Sequence, residues 1–428
     1  MNIFRLIGFP VVLSLGLSAC GGGGGSSSSS VSPYSTATVV APTVSTAPIL
    51  VPAASNNTIP VSYSGMPGYS GFWNRPMVSV TVCNASNACS IVNNVLVDTG
   101  SYGLRLDARA MPAGFPTLPA TTSAGSSIAS CTNFISGYTF GGVYTATVKI
   151  GGETAGNINI QMYDDPNAPA TPPTSCTSPS PTNIGSVAVM GANGIIGIGQ
   201  EMFDSASSYY TMSCAATLTC QPILPVSTSI ELPNPVSAFS ADYNGFIMTP
   251  QGNGLAASST GSMTFGINTQ ADNQLAGYTM INADPINEFN VSVTDLGGTV
   301  NTSSSSYFDS GTPPDVVYLA NQQPTFQVGT PTDHLNGIDA NLNLPVTIAS
   351  KVDATSYTGA LSISKASTDF PGNTVPYLSV PGFTDQLTSA GSTVFGSSYY
   401  LNHDIAEILP TPGATVGGTN YYRAYGIH

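Results

Sequence analysis

Two tetrapeptides hold the residues best able to do chemistry. Asp98-Thr99-Gly100-Ser101 and Asp309-Ser310-Gly311-Thr312 each set a carboxyl beside a hydroxyl, a glycine and a second hydroxyl. A lone motif of this kind is a common turn, because aspartate tolerates turn geometry and glycine supplies positive φ. Here it occurs twice, each time after an apolar strand, residues 90–97 and Ser306-Tyr-Phe308. Each copy is followed later by an apolar-apolar-glycine strand, Asn193-Gly-Ile-Ile-Gly-Ile-Gly199 and Ser392-Thr-Val-Phe-Gly396. A whole lobe fits between the copies. Two carboxyls brought close together cannot both ionise cheaply, so one proton is shared and the pair titrates in two separated steps. The ionised member can then activate a water while the protonated member donates to a carbonyl, with no metal or cofactor required.

The elements that must position these motifs read as strands. Met77-Val-Ser-Val-Thr-Val82 alternates with period two, residues 83–89 close a turn, and Tyr102-Gly-Leu-Arg-Leu106 leads away from the first motif into a short helical patch near 107–110. Residues 137–151 read as a hairpin, and 164–186, rich in Pro, Ser and Asn, as a surface loop. Ser262-Met-Thr-Phe-Gly-Ile267 and Phe289-Asn-Val-Ser-Val-Thr294 start the same order again. The 428 residues are 41% hydrophobic and only 7% charged, with 45 Gly and 33 Pro. Without a long amphipathic helical pattern, that is an all-β signature with few short helices.

The doubled motif resembles the pepsin family of aspartic peptidases over most of residues 70–410. That resemblance implies a bilobal double β-barrel with pseudo-twofold lobes, 61–258 and 259–428, each carrying one aspartate loop. It makes Asp98 and Asp309 the catalytic carboxyls of an endopeptidase acting on a peptide or protein in the interlobe cleft. Thr99 and Ser310 would tie the two loops together, Gly100 and Gly311 would permit the tight turn and close approach, and Ser101 and Thr312 would support the outer carboxylate oxygens. Phe134 falls where pepsins carry a flap tyrosine, and Tyr138 lies nearby out of register. Asn234-Pro-Val236 and Asp242-Tyr-Asn-Gly245 resemble signatures of DUF3443, a bacterial family of unknown function, as do the residues around Phe134 and Gly137 and the lipoprotein start. The missing flap phenol and Pro313-Pro314 after the second motif depart from the pepsin pattern. They favour an alternative, a catalytically silent pepsin-like surface lipoprotein that binds peptides or proteins.

The N-terminus sets the expected compartment. Arg5, an apolar run from Phe9 to Leu17 and small residues before a cut site read as a secretory signal over 1–19. The run falls short of the roughly 20 residues that span a bilayer. Leu17-Ser-Ala-Cys20 resembles a bacterial lipobox, which implies diacylglycerol on Cys20 and membrane attachment through that lipid. By analogy with other lipoproteins, Gly21, with no acidic residue there, implies an outer-membrane destination in a cell envelope that has one. The Gly/Ser/Pro-rich stretch 20–60 reads as a flexible tether. A net charge of −14 with 8 Lys+Arg argues against nucleic acid. A monomer is expected. Beyond Cys20, six cysteines remain, and an even count in an exported protein reads as disulfides. Cys83 with Cys89 and Cys214 with Cys220 are close in sequence, which leaves Cys131 with Cys176. The three histidines lie far from every cysteine, so no metal site is expected. Trp73 is expected in packing, and Asp315 at the surface.

Overall fold

Burial alternates along the chain as the pattern requires. In Met77–Cys83 the side chains of Val78, Val80 and Val82 are buried while Ser79 and Thr81 are half-buried. The computed structural model describes residues 57–63, 72–169, 171–205, 207–212, 220–251, 255–256, 259–321, 323–329, 334–371, 379–387, 391–411, 415–416, 419–420 and 423–428, all within one compact unit, Pro48–His428. Among these residues no helix is long and apolar enough to cross a membrane.

Six strands of the first half close on themselves. Met77–Cys83 pairs with Cys89–Asp98, which lies parallel to Gly194–Ile198. That strand runs antiparallel to Tyr102–Asp107, which lies parallel to Glu153–Tyr163. Gly137–Ile150 then pairs with Glu153–Tyr163 on one side and Met77–Cys83 on the other, completing a six-stranded barrel. Thr58–Ser62 bridges from Met77 to Thr260–Phe265 and so carries the sheet into a run made of Gly245–Gln251, Ile405–Ile408, Ala424–Ile427 and Thr279–Asn282.

The second half repeats the strand order around its motif. Val300–Phe308 lies parallel to Val394–Phe395, which is antiparallel to Asp315–Tyr318, itself parallel to Thr384–Leu387. This is the same parallel, antiparallel, parallel succession found around Asp98. Here, however, nine strands follow one another in open order, and no pairing closes them into a second barrel among the described residues. The expected double barrel is therefore met by one barrel and additional sheets. A single apolar core nevertheless runs through both halves, from Val80, Val97 and Ile196 to Phe289, Phe308 and Phe395.

Other local expectations shift. Residues 137–151 are not a hairpin. Gly137–Ile150 is one fourteen-residue strand whose hairpin partner is Ser126–Phe134. Gly141 and Gly142 are there for close approach, since a Cβ on Gly141 would sit 1.9 Å from the Met162 carbonyl. Residues 108–110 are a turn. The stretch 164–186 contains the short helix Thr174–Thr177, which buries Cys176. The strand Thr58–Ser62 includes three residues that the sequence places in the tether. The four helices among the described residues are single turns.

Disulfides join Cys83 to Cys89 and Cys131 to Cys176. Cys220 is also disulfide-bonded, and Cys214, its expected partner, lies outside the described residues, as does Cys20. The Cys131–Cys176 bond spans 45 residues, and closing such a loop restricts the unfolded chain by about 4 kcal/mol in the chain-entropy description. Replacing both cysteines with serine is expected to lower the unfolding free energy by roughly 2–4 kcal/mol, read by denaturant melts. A loss under about 0.5 kcal/mol would contradict that role.

Candidate active site

Asp98 ends the strand Cys89–Asp98, and Asp309 directly follows Val300–Phe308. Each strand is held by its apolar-apolar-glycine neighbour: Asp98 lies opposite Gly197, and the Asp309 amide donates to the Phe395 carbonyl at 2.9 Å. The chain must turn sharply after both, and each aspartate closes its own loop. Asp98 Oδ1 accepts the Gly100 amide at 2.9 Å, and Oδ2 accepts the Ser101 hydroxyl at 2.6 Å. Asp309 repeats this with the Gly311 amide at 2.9 Å and the Thr312 hydroxyl at 2.7 Å.

Each loop presses on the opposite carboxyl. A Cβ on Gly100 would lie 2.7 Å from Asp309 Cγ, and one on Gly311 would lie 2.7 Å from Asp98 Oδ1. Glycine is needed at both positions for that reason. The loops are also cross-braced. The Ser310 amide donates to Thr99 Oγ1 at 3.0 Å, the Thr99 amide donates to Ser310 Oγ at 3.2 Å, and the Ser310 hydroxyl donates to the Val97 carbonyl at 2.8 Å. The two motifs that the sequence singles out thus meet face to face.

Asp98 is 6% exposed and Asp309 half-buried. The carboxyls face each other: a Cβ on Gly311 would lie 2.7 Å from Asp98 Oδ1 and 3.1 Å from Asp309 Oδ1. Burial first, and then the neighbouring Asp309 charge, push Asp98 well above the ordinary carboxylate range, against the pull of Ser101 and Gly100. An aspartate shifted in this direction keeps a proton at a pH where a free one has lost it.

The flap expectations fare differently. Phe134 ends its strand half-buried against the cluster of Met77, Leu96 and Tyr163. Tyr138 is buried with Cys131, Cys176 and Tyr210 and makes no hydrogen bond to either aspartate. Its backbone is pinned to the segment ahead of Gly194–Ile198, donating to the Thr182 carbonyl at 2.9 Å and accepting from the Ile184 amide at 3.0 Å. Asp315 is not at the surface. It is 1% exposed, and its Oδ1 accepts the Gly396 amide at 2.9 Å, which fixes the end of the second apolar-apolar-glycine strand. Among the described residues, no group of three His, Cys, Asp or Glu side chains is gathered for a metal.

Several supports carry weaker sequence signals. Asn234, of the Asn-Pro-Val signature, is fully buried and donates to the Gly199 carbonyl at 2.7 Å, steadying the first glycine strand. Trp73 packs edge-on to Phe370 and Phe383, across in the second half. Asn74 beside it donates to the carbonyls of Pro313 at 3.1 Å and Val380 at 2.9 Å, so the N-terminal segment braces the second aspartate loop. The fully buried Arg105 pairs with Asp204 at 2.8 Å. Its only sequence signal is a cation inside the apolar run Tyr-Gly-Leu-Arg-Leu.

Two buried acids and the half-buried Asp385 share the direction of Asp98. Burial pushes Asp369 and Asp385 up to about 6 and Glu407 up to about 8. A raised folded-state value means stability that is fully present below about pH 4, where unfolded carboxyls also hold their protons, and is lost as pH rises through about 6 to 8. Self-repulsion from the −14 net charge adds to the loss. The melting temperature is therefore expected to be highest near pH 4 and to fall steadily to pH 8 in low-salt calorimetry. A melting temperature that climbed over that range would contradict the buried-acid account.

Residues 53–425 match the family described as "Protein of unknown function (DUF3443)". No curated protein matches the chain. Among solved structures, it is similar to the crystal structure of aspartic proteinase from Irpex lacteus, at 15% identity and a TM-score of 0.51, covering 86% of this chain and 96% of that one. At that identity the likeness is one of fold, pepsin-like in general character.

Proposed function

The chain belongs to the DUF3443 family, and we propose that it is an exported, lipid-anchored aspartic endopeptidase whose catalytic pair is Asp98 and Asp309. The observation that carries this reading is the mirrored pair of loops, in which two carboxyls with matched hydrogen-bond sets lie against each other's glycines. In this reading the halves act as two lobes, divided near residue 258, and an extended peptide lies between them. The ionised aspartate takes a proton from a water held between the pair as its oxygen adds to the peptide carbonyl. The protonated aspartate donates to the carbonyl oxygen, giving a neutral geminal diol. The aspartate that took the water proton gives it to the amide nitrogen, the other takes a proton from a diol hydroxyl as the C–N bond breaks to a carboxylic acid and an amine, and the pair is back at one shared proton. The signal sequence would direct export, and the lipid on Cys20 would hold the body at the outer membrane, with the tether giving it reach.

A second reading, a pepsin-like binding protein without turnover, rests on one observation: the Tyr138 ring is taken up beside the Cys131–Cys176 disulfide, and Phe134 has no phenol. The test separates the two. The purified protein is incubated with a denatured protein at roughly pH 3 to 6, where a shared proton is expected, beside Asp98→Ala. Cleavage by the parent alone supports the peptidase. Fragments in equal amount from both, or from neither, overturn it.

A further inference from the structure

The brace between the aspartate loops is not symmetric. Ser310 sends its hydroxyl to the carbonyl of Val97, the residue before Asp98. By the same pattern Thr99 would send its hydroxyl to the carbonyl of Phe308, the residue before Asp309. It meets the Tyr400 phenol instead, at 3.0 Å, and Tyr400 donates to Glu407 Oε1 at 2.7 Å. Thr99 Oγ1 already accepts the Ser310 amide. With the phenol proton committed to Glu407, the Thr99 proton goes to the Tyr400 oxygen. A one-way chain results, from the Ser310 amide through Thr99 and Tyr400 to Glu407.

Glu407 is fully buried in the strand Ile405–Ile408, between Phe246 and Tyr425 on the flanking strands. Gly245, at the end of the Asp-Tyr-Asn-Gly signature, packs so tightly here that a Cβ would lie 2.2 Å from the Glu407 carbonyl. The second carboxyl oxygen, Oε2, is buried without a partner. An ionised carboxylate with so few hydrogen bonds is costly to bury. The titratable groups facing it are Tyr400, Tyr425 and Tyr102, with Asp309 and Asp98 beyond. Arg423, near the same tyrosines, is paired with Glu201 at 2.8 Å. Burial and the two aspartates push Glu407 up, against the pull of Tyr400 and Thr99.

We propose that Glu407 is a positioning residue for the aspartate pair, terminating the chain that orients Thr99 and thereby the cross-brace between the two loops. This rests on the peptidase reading for its catalytic consequence, but the effect on the aspartates does not need turnover. Glu407 is fully buried behind Tyr400. It acts through Tyr400 on Thr99, whose hydroxyl and amide both reach Ser310. A glutamine at 407 keeps an oxygen to accept from Tyr400, so the chain survives. A leucine at 407 or a phenylalanine at 400 ends it.

The test uses Tyr400→Phe, Glu407→Leu and Glu407→Gln in the whole protein, with two readouts. On a peptide at about pH 5, Tyr400→Phe and Glu407→Leu are expected to lower kcat by about 10- to 100-fold with KM within about twofold, as loss of a transition-state alignment requires. Glu407→Gln should stay within about threefold of the parent. By carbon-13 NMR, the upper titration step of the aspartate pair should move by at least about half a pH unit in Tyr400→Phe and by less in Glu407→Gln. A parent that cleaves while Tyr400→Phe and Glu407→Leu match it in kcat overturns the positioning role and leaves the peptidase reading standing. A parent that does not cleave removes the peptidase reading. The positioning role is then decided by the titration, and an unmoved step in Tyr400→Phe rejects it.

Discussion

Asp98→Asn is expected to stop peptide cleavage and, at neutral pH, to make the protein more stable. The loss of activity should be at least about 10²- to 10⁴-fold, the usual contribution of a positioned acid or base. The gain in stability follows from the neighbours. Asparagine keeps an oxygen for the Gly100 amide, and the Ser101 hydroxyl can turn from donor to acceptor for the new NH₂. What disappears is a buried acid that the unfolded chain ionises more readily than the folded one. Near pH 3 both states hold the proton and the variant gains nothing. As pH rises above about 4 the parent loses stability and the variant does not, so by pH 7.5 a higher melting temperature, by about 2 °C or more, is expected. Asp98→Ala, which leaves the Gly100 amide without its acceptor, should not share the gain. An asparagine variant that kept its activity, or melted below the parent at pH 7.5, would remove Asp98 from the site.

Asp204→Ala should be among the most damaging substitutions away from the aspartates. The Arg105 guanidinium is fully buried and holds Asp204 at 2.8 Å, Thr132 at 3.0 Å and the carbonyl of Gly103 at 3.3 Å, with a further bond to that of Tyr102. Asp204 also accepts the Leu232 amide at 2.9 Å. The network thus ties the strand leaving the first aspartate loop to the hairpin strand Ser126–Phe134 and to the segment before Asn234. Removing one partner strands the other charge in the interior, which costs about 3–5 kcal/mol. Replacing both, as in Arg105→Met with Asp204→Leu, should cost clearly less than the sum of the two single changes. Denaturant melts of the four proteins measure this. Single changes costing under about 1 kcal/mol, or strict additivity, would show that the pair is not coupled.

Most of the site was legible in the sequence because its parts are short and repeated. The Asp-Thr-Gly-Ser and Asp-Ser-Gly-Thr motifs and the two glycine strands are local patterns, and strand pairing set them side by side. The Cys83–Cys89 bond was legible for the same reason. What stayed hidden depends on single polar residues inside apolar runs, such as Arg105 in strand Tyr102–Asp107 and Glu407 in Ile405–Ile408. Alternation marks such strands as buried, but nothing in one sequence says which distant partner meets the odd side chain. Asp315 reads as a surface residue because a carboxylate near a turn is ordinarily solvated, and its partner, the Gly396 amide, is reached only in the fold. The open second sheet was missed because barrel closure depends on how strands wrap, not on their order.

In the proposed site Asp98 and Asp309 share one proton. Titrating the aspartate side-chain carboxyls by carbon-13 NMR, in the parent and in Asp309→Asn, tests it most directly. Two linked steps are expected in the parent, one of them well above the ordinary carboxylate range, and in Asp309→Asn that upper step should move down while burial still holds Asp98 above the ordinary range. Two independent transitions near pH 4 in the parent, with the Asp98 signal unmoved by Asp309→Asn, would contradict it.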